Sequence, residues 1–205
     1  MFSGIVECSA HIVECVAGSQ VLDIAITKPE NFSELKIGDS ISVNGICLTL
    51  TKFTSTLLFF TLGPETLKIT GWTAATVLNQ EVNLERSLRM ADRIHGHLLT
   101  GHVDVLGTVK RAELLGQALR LDIQFGEAWA PYVWRKGSIA INGVSLTINE
   151  AGSDWLSVTL IPETLKVTNL KNLKVGDQVT LEMDNLARGL VRWAELKDQT
   201  KEVSL

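Results

Sequence analysis

"SIAINGVSLTINE", Ser138 to Glu150, alternates apolar and polar residues on both sides of an Asn-Gly pair, the pattern of two strands joined by a tight hairpin. Nearly the same peptide occurs as "SISVNGICLTLTK", Ser40 to Lys52. A shift of 98 positions relates the two copies and also carries "LGPETLKIT" at Leu62 onto "LIPETLKVT" at Leu160, with seven of nine residues identical. A shift of 97 carries "GIVECSAHIV" from Gly4 onto "GHVDVLGTVK" from Gly101, and "LNQEVNLE" from Leu78 onto "VGDQVTLE" from Val175. That period far exceeds the roughly 20–50 residues of a solenoid unit, so the chain reads as a duplicated domain. The halves are expected at 1–96 and 97–185, with a tail at 186–205.

Each half holds about six short, β-branched, turn-punctuated segments and no long helix, which predicts an all-β fold. Two antiparallel six-stranded barrels, closed so that no edge is left unpaired, satisfy that pattern. The Asn44-Gly45 and Asn142-Gly143 pairs suit type I′ turns, and each Pro-Glu-Thr-Leu-Lys segment suits a turn with one helical coil. "KPENFSELK" and "GEAWAPYVWRK" are each expected to hold a short helix over a barrel end. The tail "DNLARGLVRWAELKDQT" spaces Leu186, Leu190, Trp193 and Leu196 as a helix, which either packs against another subunit or covers its own barrel.

The 205 residues are 45% hydrophobic and 20% charged with four prolines, a globular composition. A net charge of −4 without a Lys/Arg cluster argues against nucleic acid and acidic membranes as partners. No apolar run is long enough for a membrane span, and the start "MFSGIVECSA" lacks a basic leader, so a cytoplasmic location is expected. Cys8, Cys15 and Cys47 are odd in number and without metal spacing, and read as reduced thiols.

Alternation puts Cys47 and Thr49 on one strand face and Ser145 and Thr147 on the equivalent face of the other half. Such side chains either bind a ligand at a barrel mouth or simply fit strands. "HGHLLTGHVD" gathers His95, His97 and His102, but nothing completes a tetrahedral metal set, so these are candidate acids, bases or structural imidazoles. Asp184 is either a helix N-cap or the orienter of a histidine or hydroxyl. No nucleotide or hydrolase motif is present.

Taken together, "MFSGIVE", the paired "NGICLTL" and "NGVSLTI", the paired Pro-Glu-Thr-Leu-Lys segments and the central "GHLLTGHVD" resemble the riboflavin synthase family, alpha-chain type, over essentially the whole chain. That resemblance implies tandem Greek-key barrels, a C-terminal helix, a homotrimer and, in some members, association with lumazine synthase. It implies dismutation of two 6,7-dimethyl-8-ribityllumazine molecules, one giving a four-carbon unit to the other, without metal, nucleotide or redox cofactor. Carried over by motif, first-barrel contacts are Gly4, Ile5, Val6, Cys47, Leu48, Thr49, Thr61, Leu62, Gly63, Pro64, Glu65 and Thr66, with Gly101, His102 and Val103 at the junction. Second-barrel contacts are Lys136, Ser145, Leu146, Thr147, Thr159, Leu160, Ile161, Pro162, Glu163 and Thr164. The resemblance makes His102, Ser145 and Thr147 candidates for proton transfer and for delivering a nucleophile or water. It adds Cys47 as pocket wall or nucleophile, Asp184 as orienter and Phe2 as ring-packing side chain. Ser3 and His95 depart from the family's usual Thr and Gly. A non-catalytic lumazine- or flavin-binding antenna protein shares the double barrel but usually carries a degraded second motif, whereas both copies are intact here. A flavin-dependent reductase and a purely structural trimer are the more distant readings.

Overall fold

The computed structural model describes residues 1–202 and contains two closed barrels. The first is built from β1 (Cys8–Ala17), β2 (Leu22–Thr27), β3 (Ser40–Val43), β4 (Ile46–Phe53), β5 (Leu57–Leu62) and β6 (Glu81–Arg86), paired in the order β1-β2-β5-β4-β3-β6. The second repeats that order with β7 (Val105–Leu115), β8 (Ala118–Gln124), β9 (Ser138–Ile141), β10 (Val144–Ala151), β11 (Trp155–Leu160) and β12 (Gln178–Met183). In each, three hairpin-linked strands are joined on their far side by the second strand, a Greek key. Alternate residues such as Ile41, Leu50, Leu58 and Leu84 fill the first interior, and Ile139, Ile148, Val158 and Leu181 fill the second.

The Asn-Gly hairpins take the expected left-handed backbone, with φ 49° and 82° at Asn44 and Gly45, and 47° and 77° at Asn142 and Gly143. They also meet: a Cβ on Gly45 would lie 2.9 Å from the Gly143 nitrogen, so side chains there would force the barrels apart. Around this contact the halves exchange hydrogen bonds reciprocally. Asn83 Nδ2 donates to Asn142 O at 2.9 Å, and Thr180 Oγ1 donates to Asn44 O at 2.5 Å. These polar groups are buried where the barrels meet and are paired there, so the contact leaves none of the four unsatisfied.

The Pro-Glu-Thr-Leu-Lys segments form α1 (Pro64–Thr70) and α3 (Pro162–Val167), each with proline at its start, and α2 (Ala74–Val77) follows α1. "KPENFSELK" is not helical, contrary to the pattern. Phe32 is fully buried in the first core, Arg86 lies over its ring at 4.8 Å, and the segment turns where Lys36 N donates to the Asp39 carboxylate. Its counterpart does form a short helix, a 3-10 helix over Glu127–Tyr132 with Pro131 inside. The final helix, α4 (Asn185–Glu202), buries Ala187 in its first turn, whereas Leu186, Leu190 and Trp193 are 77%, 66% and 57% exposed. The apolar stripe therefore does not cover its own barrel. The expected tail at 203–205 lies outside the described residues.

Candidate active site

The chain segments that lead into the two barrels cross. "GIVECSAHIVECV" reads as one strand, yet β1 begins only at Cys8, and β7 begins at Val105. The preceding residues form two arms that pair with each other, Phe2 N donating to Leu99 O at 2.9 Å and Leu99 N to Phe2 O at 3.0 Å. Each arm then reaches the motif strand of the other half: Ser145 N donates to Gly4 O and Cys47 N to Gly101 O, both at 2.8 Å. Gly4 and Gly101 have φ of 74° and 78°, and a Cβ on either would lie 2.5 Å from the Cβ of Ser145 or Cys47. Left-handed backbone and close approach both demand glycine.

Two buried carboxylates hold the arms. Glu85 accepts from Ser3 N (2.7 Å), Ser3 Oγ (2.8 Å) and Gly4 N (3.0 Å). Glu182 accepts from Thr100 N and Oγ1 (both 2.7 Å) and Gly101 N (3.0 Å). Ser3 thus supplies the hydroxyl that Thr100 supplies in the other half. Burial pushes the Glu85 carboxyl upward, and the hydrogen bonds from Ser3 and Gly4 act against it. Beyond the clamps, Val6 packs on the second barrel's core and Val103 on the first. This corrects the assignment of Gly4, Ile5 and Val6 to the first barrel: they stand with Ser145. Gly101 and Val103 stand with Cys47, in keeping with their expected place at the junction beside the first-barrel contacts.

On β4, Leu48 and Leu50 point inward, leaving Cys47 half-buried and Thr49 exposed outside. On β10, Leu146 and Ile148 point inward, leaving Ser145 half-buried and Thr147 exposed. With Leu50 opposite Phe60 and Ile148 opposite Val158 in antiparallel pairs, the starts of these strands lie beside the ends of β5 and β11. There Thr61 and Thr159 are exposed, Leu62 and Leu160 are buried, and Gly63 and Ile161 precede α1 and α3. Thr66 and Thr164 are half-buried on those helices, while Pro64, Glu65, Pro162 and Glu163 face outward. Each half thus presents one open patch, made of its motif strand, the neighbouring strand end and helix start, and the other half's arm. A nearby cavity of about 990 Å³, lined by residues that include Ser3, Lys36, Ser40, Arg86 and His95, shares only Ile5 with the expected contacts.

The lumazine binding domain model matches the chain twice, at residues 3–87 and 100–184. Riboflavin synthase of Photobacterium leiognathi is 34% identical over 210 residues, covering 100% of this chain and 96% of that protein. The Chlamydia pneumoniae riboflavin synthase is 40% identical over 191 residues and 90% of each chain. The chain belongs to the riboflavin synthase family. Among solved structures it is similar to LumP complexed with riboflavin, with a TM-score of 0.82 and 26% identity over 90% of this chain and 100% of that one. LumP complexed with 6,7-dimethyl-8-(1'-D-ribityl) lumazine gives a TM-score of 0.80 and 25% identity at the same coverage.

Within this riboflavin synthase scaffold the two patches differ chemically. In the second, His97 Nδ1 lies 2.7 Å from Ser145 Oγ, and His97 N donates to Ser3 O at 3.1 Å. Burial pushes the imidazole below its ordinary value and the nearby Asp184 raises it, so neutral His97 is favoured. In the Nε2–H tautomer Ser145 donates to Nδ1, the arrangement that draws a proton from a hydroxyl. His97 Nε2 is buried without a hydrogen-bond partner among the described residues. The sequence-based choice was His102, which is exposed, makes no side-chain hydrogen bond among the described residues and stands near Asp104 rather than bonding to Ser145 or Thr147. Asp184 accepts from Leu186 N at 2.8 Å and caps α4, so its reach toward His97 is electrostatic.

Lys136 also distinguishes the patches. It sits at φ 70° just before β9, donating its amide to Ile148 O at 2.8 Å, where the first half has Gly38 at φ 95° donating to Leu50 O at 2.9 Å. Lysine thus holds a left-handed backbone conformation that glycine adopts more easily. Cys47 is half-buried against Phe2, Leu99 and Ala140, a wall between arm and strand. No group of three or more metal-ligating residues occurs among the described residues.

Proposed function

We propose that the protein dismutates two molecules of 6,7-dimethyl-8-ribityllumazine, transferring a four-carbon unit from one to the other to yield riboflavin and 5-amino-6-ribitylaminouracil. The observation that carries this is the pair of intact, repeat-related patches, each completed by the other half's arm: a reaction between two copies of one substrate needs two similar sites. In this reading Thr49, Thr66, Thr147 and Thr164 address ring and ribityl hydroxyls. Phe2 packs beneath the arms, and Lys136 serves the second site. Ser145, with His97 behind it, moves the proton lost from the acidic C7 methyl group or activates the water that opens the donor. Thr147 and His102 act from the exposed rim, and Cys47 walls the first site.

Because both patches are open, the reading requires the first-barrel patch of one subunit to face the second-barrel patch of its neighbour. Holding both lumazines in register makes the encounter effectively unimolecular. A homotrimer built on the exposed Leu186, Leu190 and Trp193 stripe provides that arrangement, and association with lumazine synthase would bring the substrate's source close. The site is cytoplasmic in this proposal. Purified protein given the lumazine alone should show the lumazine-to-riboflavin absorbance change, and folded Ser145→Ala and His102→Gln variants should be slowed. Tight binding without turnover would instead support the antenna reading.

A further inference from the structure

We propose that Arg188 on α4 is a positioning residue that couples the final helix to the first-barrel substrate patch; this rests on the reading of that patch as a substrate site. In each half a carboxylate at the arm's end accepts from the last strand's backbone. Glu7 Oε1 accepts from Arg86 N at 2.8 Å, and Asp104 Oδ2 accepts from Met183 N at 2.7 Å. These are equivalent under the 97-residue shift, and each carboxylate pairs with an arginine.

The source of that arginine differs. In the first half it is Arg86, whose own strand delivers it to Glu7. In the second half the equivalent residue is Met183, which brings no charge, and the guanidinium comes from α4 instead. Arg188 donates to Asp104 Oδ1 at 3.1 Å, and reaches Thr100 Oγ1 at 3.4 Å and Glu182 Oε1 at 3.5 Å. It therefore touches three of the residues that fix the second arm. That arm carries Gly101 to Cys47 and Val103 to the first core, so the order of the first patch depends on α4 being seated. Among the described residues, the Glu85 clamp on Ser3 and Gly4 has no such tie.

The test is residue-resolved amide hydrogen exchange on the full chain for wild type, Arg188→Met and Arg188→Lys, with a lumazine titration alongside. Exchange at Thr100 and Gly101 should rise about tenfold or more in Arg188→Met, because an ion pair cut on one side leaves buried carboxylates uncompensated. Ser3 and Gly4 should keep their protection, and Arg188→Lys should recover most of the loss. In the titration, weakening is confined to one class of site, and in steady-state turnover KM rises with kcat less affected. Unchanged Thr100 and Gly101 exchange, or equal loosening of both clamps, overturns the proposal. Exchange that behaves as expected in a protein that binds no lumazine would leave the coupling standing and refute the assigned substrate.

Discussion

Gly4→Ala places a methyl group at φ 74°, 2.5 Å from Ser145 Cβ and 2.7 Å from Ser145 N. Left-handed backbone costs a non-glycine residue about 1–2 kcal/mol. The clash is with backbone, which cannot swing aside as a long side chain would, so the arm gives way and the Ser145–Gly4 hydrogen bond is lost at about 1 kcal/mol. Together these favour the detached arm by about 2–3 kcal/mol, roughly 30- to 150-fold. Amide exchange at Ser145, whose N–H is held by Gly4 O, should accelerate by that factor, and the second-barrel patch should lose lumazine affinity. Gly101→Ala, at φ 78° and 2.5 Å from Cys47 Cβ, should act instead on the Cys47 amide and the first-barrel patch. If Gly4→Ala loosened Cys47 and spared Ser145, the arms would not cross and the construction of both patches would be wrong.

Four further outcomes follow from the same geometry. His97, held neutral by burial, should titrate below 6.5 by NMR, and Asp184→Asn should lower it further by removing the charge that favours the imidazolium. Because the unfolded chain takes that proton first as pH falls through 6.5, stability should drop between 6.5 and the folded value, and His97→Gln should flatten this limb of a denaturation series. Lys136→Gly relieves the φ 70° backbone but gains unfolded-state entropy, so stability should change by about 1 kcal/mol or less while substrate affinity falls; equal losses in both would make Lys136 structural. Leu190→Glu together with Trp193→Glu should leave the monomer's fold intact, reduce the proposed homotrimer to monomers in ultracentrifugation and abolish turnover.

Local features were legible because local physics sets them. The Asn-Gly turns, the strand alternation around Leu48 and Leu146, and the proline-started coils at Pro64 and Pro162 all follow from neighbours in sequence. The crossing of the arms is a relation through space, although an available signal pointed to it. Under the 97-residue shift Ser3-Gly4 aligns with Thr100-Gly101 and Glu85 with Glu182, so every part of the clamp occurs twice. His97 stands among the candidate imidazoles of the sequence, but nothing local ranks it above His102, because only the folded chain brings it to Ser145. "KPENFSELK" departs from strand alternation yet forms no helix, because Phe32 is drawn into the barrel interior.

The most direct test of the paired-site account is product stoichiometry with 6,7-dimethyl-8-ribityllumazine as the sole added reactant. Two lumazines consumed for each riboflavin formed, with an equal amount of 5-amino-6-ribitylaminouracil and no added cofactor, is the result the account predicts. A stable complex without riboflavin, or riboflavin formed without its pyrimidine partner, would contradict it.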